Sequence, residues 1–346
     1  MSIEMNTNSK LMIIIRRILH AVPSVIGIII VTFVLTRALP GDPAVYFAGP
    51  AATAESIQEI REALGLDKAW PEQFWIYVSD LVVGNLGVSI STGFPVAEEL
   101  ARRLPASLEL TLIALIFSIS IAIPLGIAAA TRPNSWVDQV CRLVVTAGVS
   151  LPVFFTGIFM IYIFYYILGI APSPLGRLGI YFMSPPHVTG FYTIDALLVG
   201  DLEVFWAAFV QMIMPAITLG IFTLAPLARM TRASMIQVLS GDFIRTARAS
   251  GLSRGTVLYK YAFQNALLPI LTTLGMVFSF MLGSNVLVEK VFAWPGIGSF
   301  AIEALIVSDY VAVQGFVLAM AILYVILNLT IDIIYTLIDP RVGLDG

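Results

Sequence analysis

With 346 residues, of which 58% are hydrophobic and only 12% charged, and a mean hydropathy of +0.92, this chain has more apolar surface than one water-soluble core can enclose. Its solvent is lipid. The single Cys141 excludes an internal disulfide framework, and His20 and His187, far apart in sequence, cannot make a metal site alone; the net charge of −3 says little about partners.

A helix needs roughly 20 apolar residues to cross a hydrocarbon core of about 30 Å. Lys10, Arg16 and Arg17 close a polar N-terminus (1–17) and precede the first charge-free run, Ile18 to Thr36. Its length, and the lack of a small-residue cleavage pattern before Pro40, predict a retained first transmembrane helix (18–38) rather than a signal peptide. Residues 39–104 read as an extracytoplasmic helical segment. Within it Thr53 to Leu64 is amphipathic, with Thr53 as N-cap, Ile57, Ile60 and Leu64 on one face and Gly65 as the stop. Trp70 to Val83 follows, its Trp70, Phe74, Trp75, Tyr77 and Val78 suited to a membrane interface. Together they predict a small outer helical cap; the plainer reading is an interfacial anchor without a ligand.

Five further charge-free runs form a five-helix transmembrane core (105–338): Leu110 to Thr131, Leu143 to about Leu168, Val204 to Ala228, Tyr261 to Val288 and Tyr310 to Ile331. Prolines 124, 152, 215, 226 and 269 lie in or near these runs, so kinked, closely packed helices are expected. Ala171 to Gly190 reads as an irregular loop with four prolines. Val291 to Ser299 (VFAWPGIGS) sets aromatics beside a Pro-Gly turn directly after a span. Trp294, Pro295, Gly296 and Gly298 are therefore candidates for a gate or outer loop, the alternative being an ordinary capped loop.

Charge distribution sets the expected topology. Arg132 and Arg142 flank the turn between the second and third runs, and Arg229, Arg232, Arg245, Arg248, Arg254 and Lys260 fall between the fourth and fifth. The other connections are long and mostly acidic, with Glu99, Asp195 and Asp309 among them. The positive-inside rule puts both termini (1–17 and 339–346) and the loop at 229–264 in the cytoplasm; Arg102 and Arg103 run against the pattern, but a long preceding loop lowers their weight.

That loop is the most informative part of the chain: SGDFIRTARASGLSRGTVLYKYAFQNALLP, Ser240 to Pro269. Asp242 to Ser250 suits a short helix ended by Gly251, and Ser253 can cap a second helix carrying Val257, Leu258 and Tyr261. Small residues at Thr246, Ala247, Ala249 and Ser250 let another surface come close, with Asp242, Arg245 and Arg248 around them to pair with its charges. Contact with anionic lipid headgroups is the alternative for the basic residues, but it does not require small residues at set positions.

RTARASGL (Arg245 to Leu252) with NALLP (Asn265 to Pro269) resembles the cytoplasmic signature of the membrane-spanning permease subunits of ATP-binding-cassette importers, in the dipeptide, oligopeptide and nickel permease family. LPGDPA (Leu39 to Ala44), LGLDK (Leu64 to Lys68), GNLGVS (Gly84 to Ser89), RRLPASLELTL (Arg102 to Leu112), WPGIG (Trp294 to Gly298) and IDPR (Ile338 to Arg341) are similar to that family's other landmarks, in order. Three positions depart. Arg245, Thr246 and Ala247 stand where the general signature begins Glu-Ala-Ala, which fits the peptide branch; Asn85 stands where the family commonly has Asp, and Val311 where Pro is common.

The resemblance implies an all-α membrane protein with six transmembrane helices in the importer-type permease fold and a cytoplasmic coupling helix seated in a groove of an ATPase subunit. Asp242, Arg245, Ala247 and Gly251 would be contact or geometry residues there, beside Arg248. It further implies a second related permease subunit, two ATPase subunits binding ATP and Mg, an extracytoplasmic substrate-binding protein and a bacterial inner membrane, with peptides, nickel chelates or oligosaccharides as substrates and no nucleic acid. The chain's own residues agree: none of Lys10, Lys68, Lys260 and Lys290 follows a phosphate-binding glycine loop, so it is expected to be a non-catalytic subunit with no cofactor of its own. A channel or proton-coupled carrier acting without ATPases is the rival; the carrier needs ionisable groups within its spans, and the centres of these runs have none.

Overall fold

The computed structural model describes residues 19, 22–34, 43–49, 52–63, 65–148 and 150–338. They form helices joined by turns and irregular loops, the longest before Tyr192, with one isolated bridge, Val88 to Pro95. Among the described residues, four helices are long and apolar enough to cross a membrane: α5 (Val96–Thr131), α9 (Leu202–Leu239), α11 (Thr256–Val291) and the apolar stretch Tyr310–Ile331 of α13 (Tyr310–Ile338). Three shorter apolar helices accompany them, α1 (Val22–Val34), α7 (Val153–Ile167) and α12 (Ile297–Ile306). The run from Leu143 to Leu168 is not one helix. It is divided between α6 (Trp136–Gly148) and α7, with Pro152, whose fixed φ suits a helix start, as the N-cap of α7.

Two compact units divide the chain, and the first comprises residues 1–105 and 295–329. Here α2 (Pro43–Ala48), α3 (Ala54–Ala63) and α4 (Trp70–Val82) form the expected helical segment. The Thr53 hydroxyl accepts the Ser56 N–H at 3.3 Å, the N-cap the sequence predicts. Phe33 of α1 meets Phe74 edge-on at 5.2 Å and stacks on Tyr77 at 5.9 Å, so α4 rests on the first apolar helix while Trp70 and Trp75 stay exposed. Asp309 is fully buried, and its carboxylate accepts the Ser89 hydroxyl at 2.6 Å and the Ser91 N–H at 3.0 Å, holding the 84–95 turn to the start of α13. The departures Asn85 and Val311 meet in this turn. The Asn85 Oδ1 accepts the Gly87 N–H at 3.0 Å, and a Cβ on Gly87 would lie 2.7 Å from the Val311 side chain.

The second unit comprises residues 106–294 and 330–346. Inside lipid there is little hydrophobic drive between helices, so close approach of small residues holds them together. A Cβ on Gly126 of α5 would lie 2.6 Å from Thr231 and 2.9 Å from the Ala228 carbonyl of α9; one on Gly220 would meet Phe117 at 2.5 Å. These contacts fix α5 against α9. Gly126→Val is expected to cost about 1–3 kcal/mol by overpacking and to lower the thermal midpoint in detergent, whereas Gly27→Val, with nothing within 4 Å, leaves it nearly unchanged.

Candidate functional site

The predicted docking loop forms α10 (Asp242–Ala249), a helix of eight residues. Isolated helices of that length do not persist in water. This one is held by its own chain: Ile244 is fully buried and Ala247 is 6% exposed, both in a cluster with Cys141, Val145, Met235, Val257 and Ala262. Where that face meets water-accessible structure, burying Ile244 contributes about 1.5–3 kcal/mol. Asp242, Arg245, Thr246, Arg248 and Ala249 face outward. Of the small residues predicted to admit a partner, Ala247 thus packs inward and serves geometry, while Thr246, Ala249 and Ser250 are exposed.

Gly251 ends the helix with φ of +76°, its N–H donating to the Arg248 carbonyl at 3.0 Å. That left-handed backbone is the expected helix stop. The Ser253 hydroxyl then accepts the Thr256 N–H at 3.2 Å, starting the second helix. It is not a separate element. Thr256–Phe263 is π-helical and runs unbroken into Gln264–Val291, so the loop carrying α10 is joined directly to a long apolar helix. Asp242 and Arg245 pair at 3.2 Å with both side chains largely exposed, an interaction of about 0.2–0.5 kcal/mol that leaves both free to face a partner.

Behind α10 lies an ion cluster whose role the sequence does not reveal. The buried Asp138 carboxylate of α6 accepts Nε and Nη2 of Arg232 (the latter at 2.9 Å), Nη2 of Arg142 at 2.8 Å and the Asn134 N–H at 3.0 Å. Asp138 precedes the apolar part of its segment. The Arg232 guanidinium, helped by Arg142 and the Asn134 N–H, holds its carboxyl well below the usual carboxylate range, against the opposing effect of burial. Arg232 stands ten residues before Asp242. The pair therefore anchors the end of α9 from which α10 departs. From sequence alone, Arg142 and Arg232 register only as topology signals.

The second predicted group has a different character. Trp294 is buried in the second unit; its indole N–H donates to the Ala106 carbonyl at 2.9 Å and its backbone N–H to the Glu289 carbonyl at 2.7 Å. In the first unit Gly296 is the N-cap of α12, its carbonyl accepting the Phe300 N–H at 3.3 Å, with Gly298 in the first turn and Pro295 exposed. Trp294→Ala is expected to cost about 3–5 kcal/mol, and Trp294→Phe about 1 kcal/mol for the lost hydrogen bond, read as thermal midpoints.

α11 extends beyond its charge-free run and carries a buried acid. Glu289 is 1% exposed and accepts the Ser107 hydroxyl of α5, with the Asn285 amide donating to it at 3.0 Å and to the Thr111 hydroxyl at 3.2 Å. This polar cluster links α5 to α11.

A family described as "Binding-protein-dependent transport system inner membrane component" matches residues 122–344, and the N-terminal component of such transport systems matches residues 10–111. The chain is 45% identical over 322 residues to the probable D,D-dipeptide transport system permease protein DdpB of Escherichia coli K12, covering 93% of this chain and 94% of that protein. It is 40% identical over 334 residues to the di/tripeptide transport system permease protein DppB of Pseudomonas aeruginosa, covering 95% and 98%. It is also 34% identical over 329 residues to the glutathione transport system permease protein GsiC of Shigella flexneri, covering 95% and 98%.

Proposed function

The chain belongs to the family of binding-protein-dependent transport system inner membrane components, and from that premise we propose that it forms half of the translocation pathway of an ATP-driven importer of di- or oligopeptides. It is a multi-pass inner-membrane protein and a non-catalytic permease subunit. The substrates in its relatives' names are all short peptides, which favours peptides over nickel chelates or oligosaccharides. In this reading α1, α5, the α6–α7 pair, α9, α11 and α13 make six crossings, with both termini and α10 on the cytoplasmic side where the arginines gather.

The single observation that carries the coupling role is the division of α10 into two faces: Ile244 and Ala247 bury it in its own subunit, while Asp242, Arg245 and Arg248 are turned outward. A helix gripped this way moves as one body with α9 and α11. ATP and Mg bound by two ATPase subunits close those subunits, their grooves carry α10 and its counterpart on a second related permease, and the helices rock between inward and outward access. A loaded extracytoplasmic binding protein favours one of the two states by its differential affinity. Trp294 and the turn at 295–298 are the proposed gate or outer loop.

Glu289 is a feature that suits the rival, since a buried acid in a spanning helix is what a proton-coupled carrier needs. Reconstitution separates the two. Vesicles with this chain, its partner permease, both ATPases and the binding protein are expected to concentrate a dipeptide only when ATP is present. Uphill uptake by the permease chains alone, driven by a proton gradient and lost in Glu289→Gln, would establish the carrier instead.

A further inference from the structure

The connection from α7 to α9 contains α8 (Tyr192–Leu198), and this helix is inverted with respect to water. Its buried side consists of Thr193, Asp195 and Ala196, while Ile194, Leu197 and Leu198 are 45%, 50% and 61% exposed. A helix lying on a protein in water turns its apolar stripe inward. Here the polar residues face in and the aliphatic ones out.

The inward polar groups have a specific job. Glu109 of α5 accepts the Tyr192 and Thr193 N–H groups at 3.2 and 2.9 Å, supplying from another helix the cap that the first turn of α8 lacks, and it pairs with Nη2 of Arg177 at 2.6 Å. Asp195 folds back over the preceding turn, accepting the N–H groups of Val188, Thr189 and Gly190 at 3.3, 2.8 and 2.9 Å. Backbone donors that an aqueous loop leaves to water are thus satisfied by carboxylates inside the subunit. This meets the need for internal satisfaction of backbone at residues 188–193, while the loop tip, where Phe182 N–H donates to the Gly179 carbonyl, is left for the headgroup layer.

We propose that α8 and the loop before it lie in the interfacial layer of the lipid leaflet at the N-terminal end of α9, with the aliphatic face of α8 and the side chains of the loop tip turned into the lipid. The residues from Leu178 to Ile194 include no Asp, Glu, Lys or Arg, and the loop tip offers Ile180, Tyr181 and Met183 at 76%, 91% and 87% exposure. Tyr166 at the end of α7 and Trp206 in the second turn of α9 are also exposed, the aromatic placement of a headgroup boundary. The charged Asp201 and Glu203 mark where water begins. Bilayer rather than a protein partner is favoured because protein interfaces carry about one hydrogen bond per 100–200 Å², and the exposed face of α8 presents aliphatic side chains whose neighbouring donors are already used internally. α10 lies at the other end of α9, about 57 Å along a helix of 38 residues, so this contact is with the leaflet opposite the docking helix.

The test uses the full chain in nanodiscs with the subunits that co-purify, in a Cys141→Ala background, with single nitroxides at Tyr181→Cys, Leu198→Cys and Glu203→Cys. The ratio of oxygen to nickel-chelate collision rates is expected to exceed one at 181 and 198 and to fall below one at 203. A photo-crosslinking residue at Met183, read in cells, is expected to give phospholipid adducts. Chelate access at 181 and 198, exclusion of both relaxants there, or Met183 adducts to a binding protein or second permease would overturn the proposal. None of these readouts depends on transport.

Discussion

Gly251→Val is expected to abolish ATP-coupled uptake while the chain still reaches the membrane in normal amount. Gly251 has φ of +76° and a Cβ there would find nothing within 4 Å, so the substitution acts through the backbone alone. A β-branched residue in that region costs about 1–3 kcal/mol. The strain falls on the turn that orients α10 relative to α11, so the helix loses its fixed presentation rather than its sequence. Gly251→Asn is the control, since asparagine tolerates left-handed backbone, and it is expected to keep most of the uptake. Equal loss in the two variants would point to the side chain, and full uptake in Gly251→Val would remove the turn from the coupling account. The readout is peptide uptake set beside ATP hydrolysis in the same vesicles.

Asp138→Ala is expected to be the most damaging single change near α10. Removing one member of a buried ion pair commonly costs 3–5 kcal/mol because the partner charge is left uncompensated. Arg232 is 24% exposed and Arg142 is 59% exposed, so water recovers part of that, and about 2 kcal/mol remains. The thermal midpoint in detergent should fall, and uptake with it. Asp138 also sets a pH signature. Its folded carboxyl titrates below its unfolded value, so its contribution is full above the ordinary carboxylate pKa of about 3.9 and disappears as the pH falls through the folded value. Wild-type stability is therefore expected to lose this contribution only below about pH 4, and Asp138→Asn to flatten that acid limb; an unchanged limb in the variant would assign it to other groups.

Sequence patterning carried the parts of this fold that depend on period and punctuation. Charge-free runs located the long helices, Thr53 and Ser253 marked helix starts, and Gly251 marked a stop, because caps and left-handed turns are local devices. The interior acids were not legible. Asp195 and Asp309 read as outer-loop charges, and Glu109, Asp138 and Glu289 drew no attention, since a carboxylate's partner is set by tertiary contacts 68 residues away for Arg177 and Glu109 and 94 for Arg232 and Asp138. The segment at 171–190 is irregular, as its prolines predict. Its prolines do not show that Glu109 and Asp195 organise its end, or that Tyr192–Leu198 beyond it is helical. At α10 the short helix is legible from sequence, but which of its residues face inward follows from packing: Ala247 joins the core beside Ile244, leaving Arg245 and Arg248 outside.

α10 is the proposed surface through which an ATPase subunit moves this chain. Cysteines at Arg245 and at Thr246, placed in the assembled transporter and treated with a short bifunctional thiol reagent, measure that contact directly. Crosslinks to the ATPase subunit, with hydrolysis retained and uptake blocked once the link forms, are the predicted result. Free, reactive cysteines at both positions in a transporter that is importing peptide would contradict it.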